Sequence, residues 1–356
     1  MTLIDPSDNM VSVMPTYQQH YSIPESIGAE VRILNLNLEN HFLPDIDKLK
    51  DLVDENTKMI TMNSPNNPSG SLIPKDVMEQ VIEVARSVDA YVLCDEVYRG
   101  ISEDGSYMYS VADLYEKGIS IGSMSKSWAM AGVRLGWIVT RDMDLIRRCH
   151  ERRDYDTISC GVIDDKLAAL ALANKDKIIE RNRAILNTNR QILDDWVNAT
   201  PEVYYQRPVA GTTALVYYKK DMPSRELCDR LINETGVLFT PGECFEMEGS
   251  VRIGYAFDSK VLQKGLDLFA EFLKTIADEH QSFPVPCSTF LMSLPEASLR
   301  EYVSKAGSLG SCISILLILA SRIRPRAISR SNTCPPFMRS SERKCTCQPG
   351  ALIPSM

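Results

Sequence analysis

The chain has 356 residues, of which 44% are hydrophobic and 24% are charged, a composition typical of a folded globular protein large enough for two domains. Its formal net charge of -8 argues against a nucleic-acid surface, because proteins that bind the phosphate backbone usually carry an excess of Lys and Arg. We therefore expect a small-molecule partner and no nucleic acid, and the lack of a leader-like start or of an apolar run of about 18 residues predicts a cytoplasmic protein without membrane contact.

The ten cysteines do not predict a metal site. The first five show no close pairing of the kind that binds zinc. Cys345 and Cys347 form a C-x-C sequence, but two ligands are too few for a site. We expect reduced thiols and no metal.

The first half of the chain alternates short apolar segments with amphipathic helical patterns. This order predicts an α/β fold with a mostly parallel sheet and helices on both faces. A helix is predicted at 74–87, where Val77, Val81, Val84 and Ala85 share one face. Strands are predicted at 10–14, 58–62, 90–94, 119–122 and 135–140.

The second half predicts a smaller C-terminal α+β domain. Helical patterns occupy 164–173, 175–199, 225–235 and 260–275, and strand patterns occupy 212–218, 237–240 and 251–257. We place a large domain at 1–190, a small domain at 191–275 and an irregular tail at 276–356. The tail has a different composition, with nine Lys or Arg against three Asp or Glu from 281 onwards, and we expect it to be disordered.

Three motifs follow predicted strands, where an α/β sheet binds its ligands. Asn67 lies in NNPSG after the strand at 58–62, and Asp95 and Tyr98 follow the strand at 90–94 in DEVY. The sequence GSMSKSWAMAGVRLGW then places hydroxyls, an amine and a guanidinium in one small-residue loop, suited to hold a phosphate beside a reactive amine. Each motif alone would indicate only a turn, a loop or a solvated charge.

Together the motifs resemble the class I/II aminotransferases, which are fold type I pyridoxal-phosphate enzymes. Asn67, Asp95 and Lys126 follow at spacings of 28 and 31 residues, and Arg134 comes eight residues after Lys126. The resemblance runs from about residue 5 to 275. It implies that the domain at 1–190 binds pyridoxal 5′-phosphate.

The resemblance also implies a role for each motif residue. Lys126 would hold the cofactor as a Schiff base and carry the proton between the substrate and the cofactor, with Asp95 pairing with the pyridine nitrogen. Tyr98 and Asn67 would hydrogen-bond the phenolic oxygen of the cofactor. The remaining residues implied by the family pattern are Tyr17 stacking on the ring, Ser123, Ser125 and Arg134 on the phosphate, and Arg252 on the substrate α-carboxylate.

The expected reaction moves an amino group between an amino acid and a 2-oxo acid, in a homodimer with a biosynthetic role. Two alternatives stay open. One is a carbon–sulfur lyase or cyclase on the same scaffold, since ERRDYDTISCGVIDD resembles a subgroup of capreomycidine synthase-like enzymes. The other is an inactive, N-terminally truncated fragment, because only sixteen residues precede Tyr17 where the family has a longer segment with a Gly-rich phosphate-binding turn.

Overall fold

The computed structural model of the chain describes residues 2–276. The predicted tail, apart from residue 276, and the C-x-C sequence of Cys345 and Cys347 lie outside the described residues. Within 2–276, no helix is both long and apolar enough to cross a membrane. The same residues contain no group of three or more His, Cys, Asp or Glu side chains that could hold a metal ion.

A six-stranded sheet forms the first part of the fold, in the spatial order β2-β1-β3-β4-β5-β6. Its first five strands run parallel, and β6 is antiparallel to β5. The mostly parallel sheet predicted from the sequence is therefore confirmed. The strands are β1 (Asn9–Met14), β2 (Glu30–Asn35), β3 (Thr57–Asn63), β4 (Tyr91–Asp95), β5 (Gly118–Ser123) and β6 (Gly136–Thr140).

Helices pack on this sheet, and the sequence spacing predicts the apolar face of one of them, α3. The helix expected at 74–87 is confirmed, and it buries Val81, Ile82 and Ala85. A second helix begins after Asp45, whose side chain accepts hydrogen bonds from the first N–H groups of that helix. The helices are α1 (Gln19–Ser26), α2 (Ile46–Leu52), α3 (Lys75–Ser87), the short α4 (Val111–Leu114) and α5 (Met143–Arg153).

The helices α6 (Val162–Ala173) and α7 (Lys175–Ala199) lead to the second sheet. The pattern at 175–199 predicts α7 with its observed bounds. Leu193 and Trp196 of α7 lie in the core of the C-terminal part, where the Trp196 ring stacks on Phe269 with ring centroids 5.8 Å apart. The predicted domain boundary near residue 190 falls inside α7 and stays a prediction.

An antiparallel four-stranded sheet, in the order β7-β8-β10-β9, completes the described fold. The strand predicted at 237–240 is wrong for residues 237–239, since only Thr240 belongs to a strand. Those three residues imitate a strand because Val237 and Phe239 pack on the core without pairing in the sheet. The elements are β7 (Val203–Tyr205), β8 (Thr213–Tyr218), α8 (Ser224–Thr235), β9 (Thr240–Pro241), β10 (Ser250–Gly254) and α9 (Ser259–Thr275).

Candidate active site

The predicted site residues of the first sheet lie at or after the carboxyl ends of four neighbouring strands, β1, β3, β4 and β5. Asn63 at the end of β3 lies beside Asp95 at the end of β4, and Asp95 lies beside Ile121 of β5. Because parallel strands end at one edge of a sheet, the loops that follow them carry their polar side chains to the same region. The structure thus brings Asn67, Asp95 and the loop after β5 to one edge.

The Asp95 carboxylate is held from two sides. Its Oδ1 accepts a hydrogen bond from the Val97 N–H at 3.1 Å, and its Oδ2 lies 3.5 Å from Nε2 of His20. The side chains of Asp95 and His20 are only 12% and 7% exposed. The carboxylate direction is therefore set by α1 as well as by the loop that follows β4.

Sequence reasoning missed His20. Its helix α1 contains Pro24 and has little amphipathic character, so no helix was predicted there. The available signal was that a histidine follows Tyr17, the expected ring-stacking residue, by only three positions. Nδ1 of His20 is buried and has no hydrogen-bond partner within 2–276.

Tyr17 and Asp95 line the same cavity, which has a volume of about 450 Å³ and also contacts His20. The Tyr17 side chain is 45% exposed, although a large aromatic residue usually buries more of its surface. A flat, accessible ring therefore lies in the same cavity as a buried carboxylate, which suits the stacking role implied for Tyr17.

Lys126 lies on the loop after β5, next to the loop that follows Asp95. Both the N–H and the hydroxyl of Ser127 donate to the Val97 carbonyl, at 3.4 and 2.9 Å. The exposed Lys126 side chain lines a cavity of about 540 Å³ together with Thr212. Asp95 lines the other cavity, so the two loops touch while the two side chains face different spaces.

Tyr98 is buried, with 3% of its surface exposed. Burial raises the pKa of Tyr98 above its usual value, whereas the nearby Thr212 side chain and the positive charge of Arg252 act in the opposite direction. At neutral pH the phenol is therefore protonated and able to donate a hydrogen bond.

Arg252 of β10 reaches the loop that carries Asn67. Its Nη1 donates to Oδ1 of Asn67 and its Nη2 to Oγ1 of Thr240, both at 3.1 Å. The guanidinium also lies 5.0 Å from the ring centroid of Phe245, and burial lowers its pKa. Asn67 and Arg252 are thus brought together, as expected for residues of one site.

Ser123, Ser125 and Arg134 also lie together. The Ser125 N–H donates to Oγ of Ser123 at 3.3 Å, and Nη1 of Arg134 donates to Oγ of Ser125 at 3.4 Å and to the Ala131 carbonyl at 2.7 Å. Arg134 has a φ of 52°, in the left-handed region that costs a non-glycine residue about 1 to 2 kcal/mol. Two hydroxyls and a guanidinium form a donor set suited to a phosphate.

Glu96, beside Asp95, has a different environment. Its Oε1 accepts hydrogen bonds from the Val111 N–H at 2.8 Å and from the Ser110 hydroxyl at 3.1 Å. Burial raises the pKa of Glu96 despite these bonds. The contacts tie the loop after β4 to α4, so Glu96 supports the loop that carries Tyr98.

Comparison with known proteins identifies the family to which these features belong. The sequence profile of the family "Aminotransferase class I and II" matches residues 1–269. The chain belongs to this family. The fold agrees, since a pyridoxal-phosphate-dependent aminotransferase from Streptococcus suis superposes with a TM-score of 0.75 at 42% identity, covering 78% of this chain and 73% of that one.

Two curated relatives are similar to this chain over about three quarters of its length. Capreomycidine synthase of Streptomyces vinaceus is 28% identical over 271 residues, which cover 76% of this chain and 69% of the relative. The probable aspartate aminotransferase of Methanocaldococcus jannaschii is 28% identical over 286 residues, which cover 77% of this chain and 73% of the relative. The expected family, fold class and aminotransferase activity are confirmed at this level.

Membership of this aminotransferase family implies pyridoxal phosphate as the cofactor. The residues present fit that group chemically. A buried carboxylate suits a ring nitrogen, a primary amine suits an aldehyde, and the two serines with Arg134 suit a phosphate.

Proposed function

We propose that this aminotransferase moves an amino group between an amino acid and a 2-oxo acid, with pyridoxal phosphate bound at the carboxyl edge of the first sheet. The observation that carries the proposal is the hydrogen bond from Arg252 to Asn67, next to the loop that carries Asp95. This hydrogen bond connects the guanidinium proposed to bind the substrate carboxylate with the edge of the sheet proposed to bind the cofactor.

Lys126 and Asp95 act at the two reactive ends of the cofactor. When bound, pyridoxal phosphate supplies an aldehyde carbon that accepts the amino group and an electron-withdrawing ring. The Lys126 amine would hold the cofactor at that carbon, and as a free amine it would carry the proton at the substrate Cα. The Asp95 carboxylate, held by the Val97 N–H and His20, keeps the ring nitrogen protonated through its negative charge.

Tyr98 and Asn67 supply hydrogen-bond donors to the phenolic oxygen. The Tyr98 hydroxyl donates because burial raises its pKa and keeps the phenol neutral. The Asn67 carboxamide uses its oxygen to accept from Arg252, so its Nδ2 is the atom left to donate. The contact with Arg252 therefore decides which end of the Asn67 side chain faces the cofactor.

The remaining groups bind anions and an aromatic face. Ser123, Ser125 and Arg134 hold the phosphate, and Tyr17 stacks on the ring from its accessible position. Arg252 receives the substrate α-carboxylate, for which a planar guanidinium already oriented by Thr240 is suited.

Reconstitution with pyridoxal phosphate tests the proposal. The wild-type protein should gain a visible absorption band of the bound cofactor, and Lys126→Ala should lack it. Lys264→Ala, which removes an exposed lysine of α9, is the control and should keep the band. A wild-type protein without the band, or a Lys126→Ala variant that keeps it, would contradict the assignment and favour an inactive chain.

A lyase or cyclase is the second candidate, favoured by the 28% identity to capreomycidine synthase. The site residues above serve both outcomes, since each needs a proton moved at the substrate Cα. Product analysis with 2-oxoglutarate separates them. Glutamate supports transfer, ammonia with pyruvate supports elimination, and a ring-closed product formed without 2-oxoglutarate supports cyclisation.

We further propose that the protein acts as a homodimer in the cytoplasm, with a biosynthetic role. Helix α6 supports the dimer, since Val162, Ile163 and Leu170 are 70%, 75% and 63% exposed, and such apolar faces mark interfaces. Light scattering should give twice the chain mass for the wild type and the chain mass for Leu170→Glu. Leu238→Glu, at a residue that is 74% exposed elsewhere, is the control and should remain dimeric.

A further inference from the structure

Asn63 is a buried amide in the middle of the candidate site. It is the last residue of β3, is 2% exposed and lies opposite Asp95 in the sheet. Its Nδ2 donates to the Asp95 backbone carbonyl at 3.0 Å, and its Oδ1 accepts from the Asn67 N–H at 2.7 Å. Both ends of one side chain therefore join the two loops that carry site residues.

These two contacts give the Asn63 amide a single orientation. Its nitrogen faces a carbonyl and its oxygen faces an N–H, so exchanging the two ends would place like groups against each other. A buried polar group left without its partner costs about 1 to 3 kcal/mol. The Asn67 loop is thus held to Asp95 by a bond that tolerates little displacement.

The path continues from Asn67 to the second sheet. Oδ1 of Asn67 accepts from Nη1 of Arg252, and Nη2 of Arg252 donates to Thr240. A continuous series of hydrogen bonds therefore runs from Asp95 through Asn63 and Asn67 to Arg252. Its first link is backbone to side chain, so the position of β4 determines where the Asn67 carboxamide lies.

We propose that Asn63 is a positioning residue that aims the Asn67 carboxamide, and through it the Arg252 guanidinium, relative to Asp95. The consequence for the cofactor rests on the proposed function, whereas the contact itself does not. Asn63 touches neither substrate nor cofactor in this proposal. Without it, Asn67 keeps its side chain but loses the anchor of its backbone.

The first test measures hydrogen exchange of the Asn67 N–H in the full-length, cofactor-free protein labelled with 15N-asparagine. Asn63→Ala should speed this exchange by about fivefold or more, the effect of losing one hydrogen bond. Asn63→Asp keeps an acceptor for the Asn67 N–H but turns an oxygen toward the Asp95 carbonyl, so it should not restore the wild-type rate. Unchanged exchange in Asn63→Ala, or wild-type exchange in Asn63→Asp, would overturn the proposal.

The second test measures the pH midpoint of the cofactor absorption change in the reconstituted protein. Asn63→Ala should move this midpoint upward, because a displaced Asn67 donates less well to the phenolic oxygen. Asn9→Ala is the matched control, since Asn9 is also a buried amide, bonded to Asp54 and Thr57 at the opposite edge of the sheet. It should destabilise the fold without moving the midpoint.

A midpoint in Asn63→Ala equal to that of the wild type would show that Asn63 only holds the loop, and would overturn the positioning role. The same holds if Asn9→Ala moves the midpoint equally. A wild type that binds no cofactor would instead contradict the proposed function, and the exchange experiment would still decide whether Asn63 anchors Asn67.

Discussion

Arg252 and Asn67 form a hydrogen bond of 3.1 Å between side chains that are 185 residues apart in the sequence. Asn67 belongs to the loop after β3 of the first sheet and Arg252 to β10 of the second. The same guanidinium is proposed to receive the substrate carboxylate. Arg252 would therefore both bind the substrate and orient the Asn67 carboxamide.

Replacing Arg252 with Lys should raise KM for the amino acid by about 10- to 100-fold, because a point charge replaces a planar fork and a hydrogen bond to a charged group contributes about 1.5 to 3 kcal/mol. Steady-state kinetics measure the change. Arg230→Lys, in an exposed i, i+4 pair with Glu234 of α8, should leave KM unchanged. Equal KM values for the two variants would refute the assigned role of Arg252.

Gly70→Ala should lower the free energy of unfolding by roughly 2 kcal/mol or more. Gly70 has a φ of +71°, and an added Cβ would lie 2.4 Å from Cβ of Pro208 and 3.0 Å from the carbonyl oxygens of Ala210 and Thr213. Urea denaturation measures the loss. Gly249→Ala is the matched control, with a φ of +75° and no heavy atom within 4 Å of the added Cβ. It should lose only about 1 kcal/mol, from the backbone alone. An equal loss in both variants would mean that the neighbours of Gly70 move to accept the added Cβ with no further loss of stability.

Glu96→Gln should change how stability depends on pH. Burial raises the pKa of Glu96 in the folded state, so the folded protein binds this proton more tightly, and stability falls as pH rises from the unfolded value of 4.5 through the raised value. The variant keeps an oxygen for the Val111 N–H and should lack this fall. The measurement is the free energy of unfolding at a series of pH values.

Glu103→Gln should change the pH dependence of stability in the opposite direction. Hydrogen bonds from Arg207 lower the pKa of Glu103, so its contribution is present above pH 4.5 and is lost as pH falls through the lowered value. Glu103→Gln should therefore have a lower free energy of unfolding than the wild type at neutral pH. The difference between the two proteins should be smaller in acid. Parallel pH profiles for the two variants would contradict the assigned environments.

His20→Ala should weaken cofactor binding by about fivefold, roughly 1 kcal/mol, because Oδ2 of Asp95 loses its buried neighbour at 3.5 Å. Titration of the cofactor absorption band measures the affinity. His150→Ala removes an exposed histidine of α5 and should bind the cofactor as the wild type does. Wild-type affinity in His20→Ala would show that Val97 alone holds Asp95.

Much of the fold could be predicted because its pattern is local. The apolar spacing in α3, the long repeat in α7 and the β-branched character of β3 each lie within one element. Helix α1 was missed because Pro24 interrupts its pattern, and the residues at 237–239 imitate a strand because the partly buried Val237 and Phe239 pack on the core without pairing in the sheet. A local sequence pattern indicates which residues tend to be buried, but it does not indicate which element of the fold packs against them.

The sequence by itself determined the α/β class of the fold and the three motifs that place Asn67, Asp95 and Lys126 after predicted strands, since parallel strands end at one edge of a sheet. Only the tertiary structure decided that His20 lies against Asp95, that Asn63 joins two loops and that Arg252 reaches Asn67. Those contacts join residues far apart in the chain, and their distances depend on how strands and helices pack rather than on any sequence spacing.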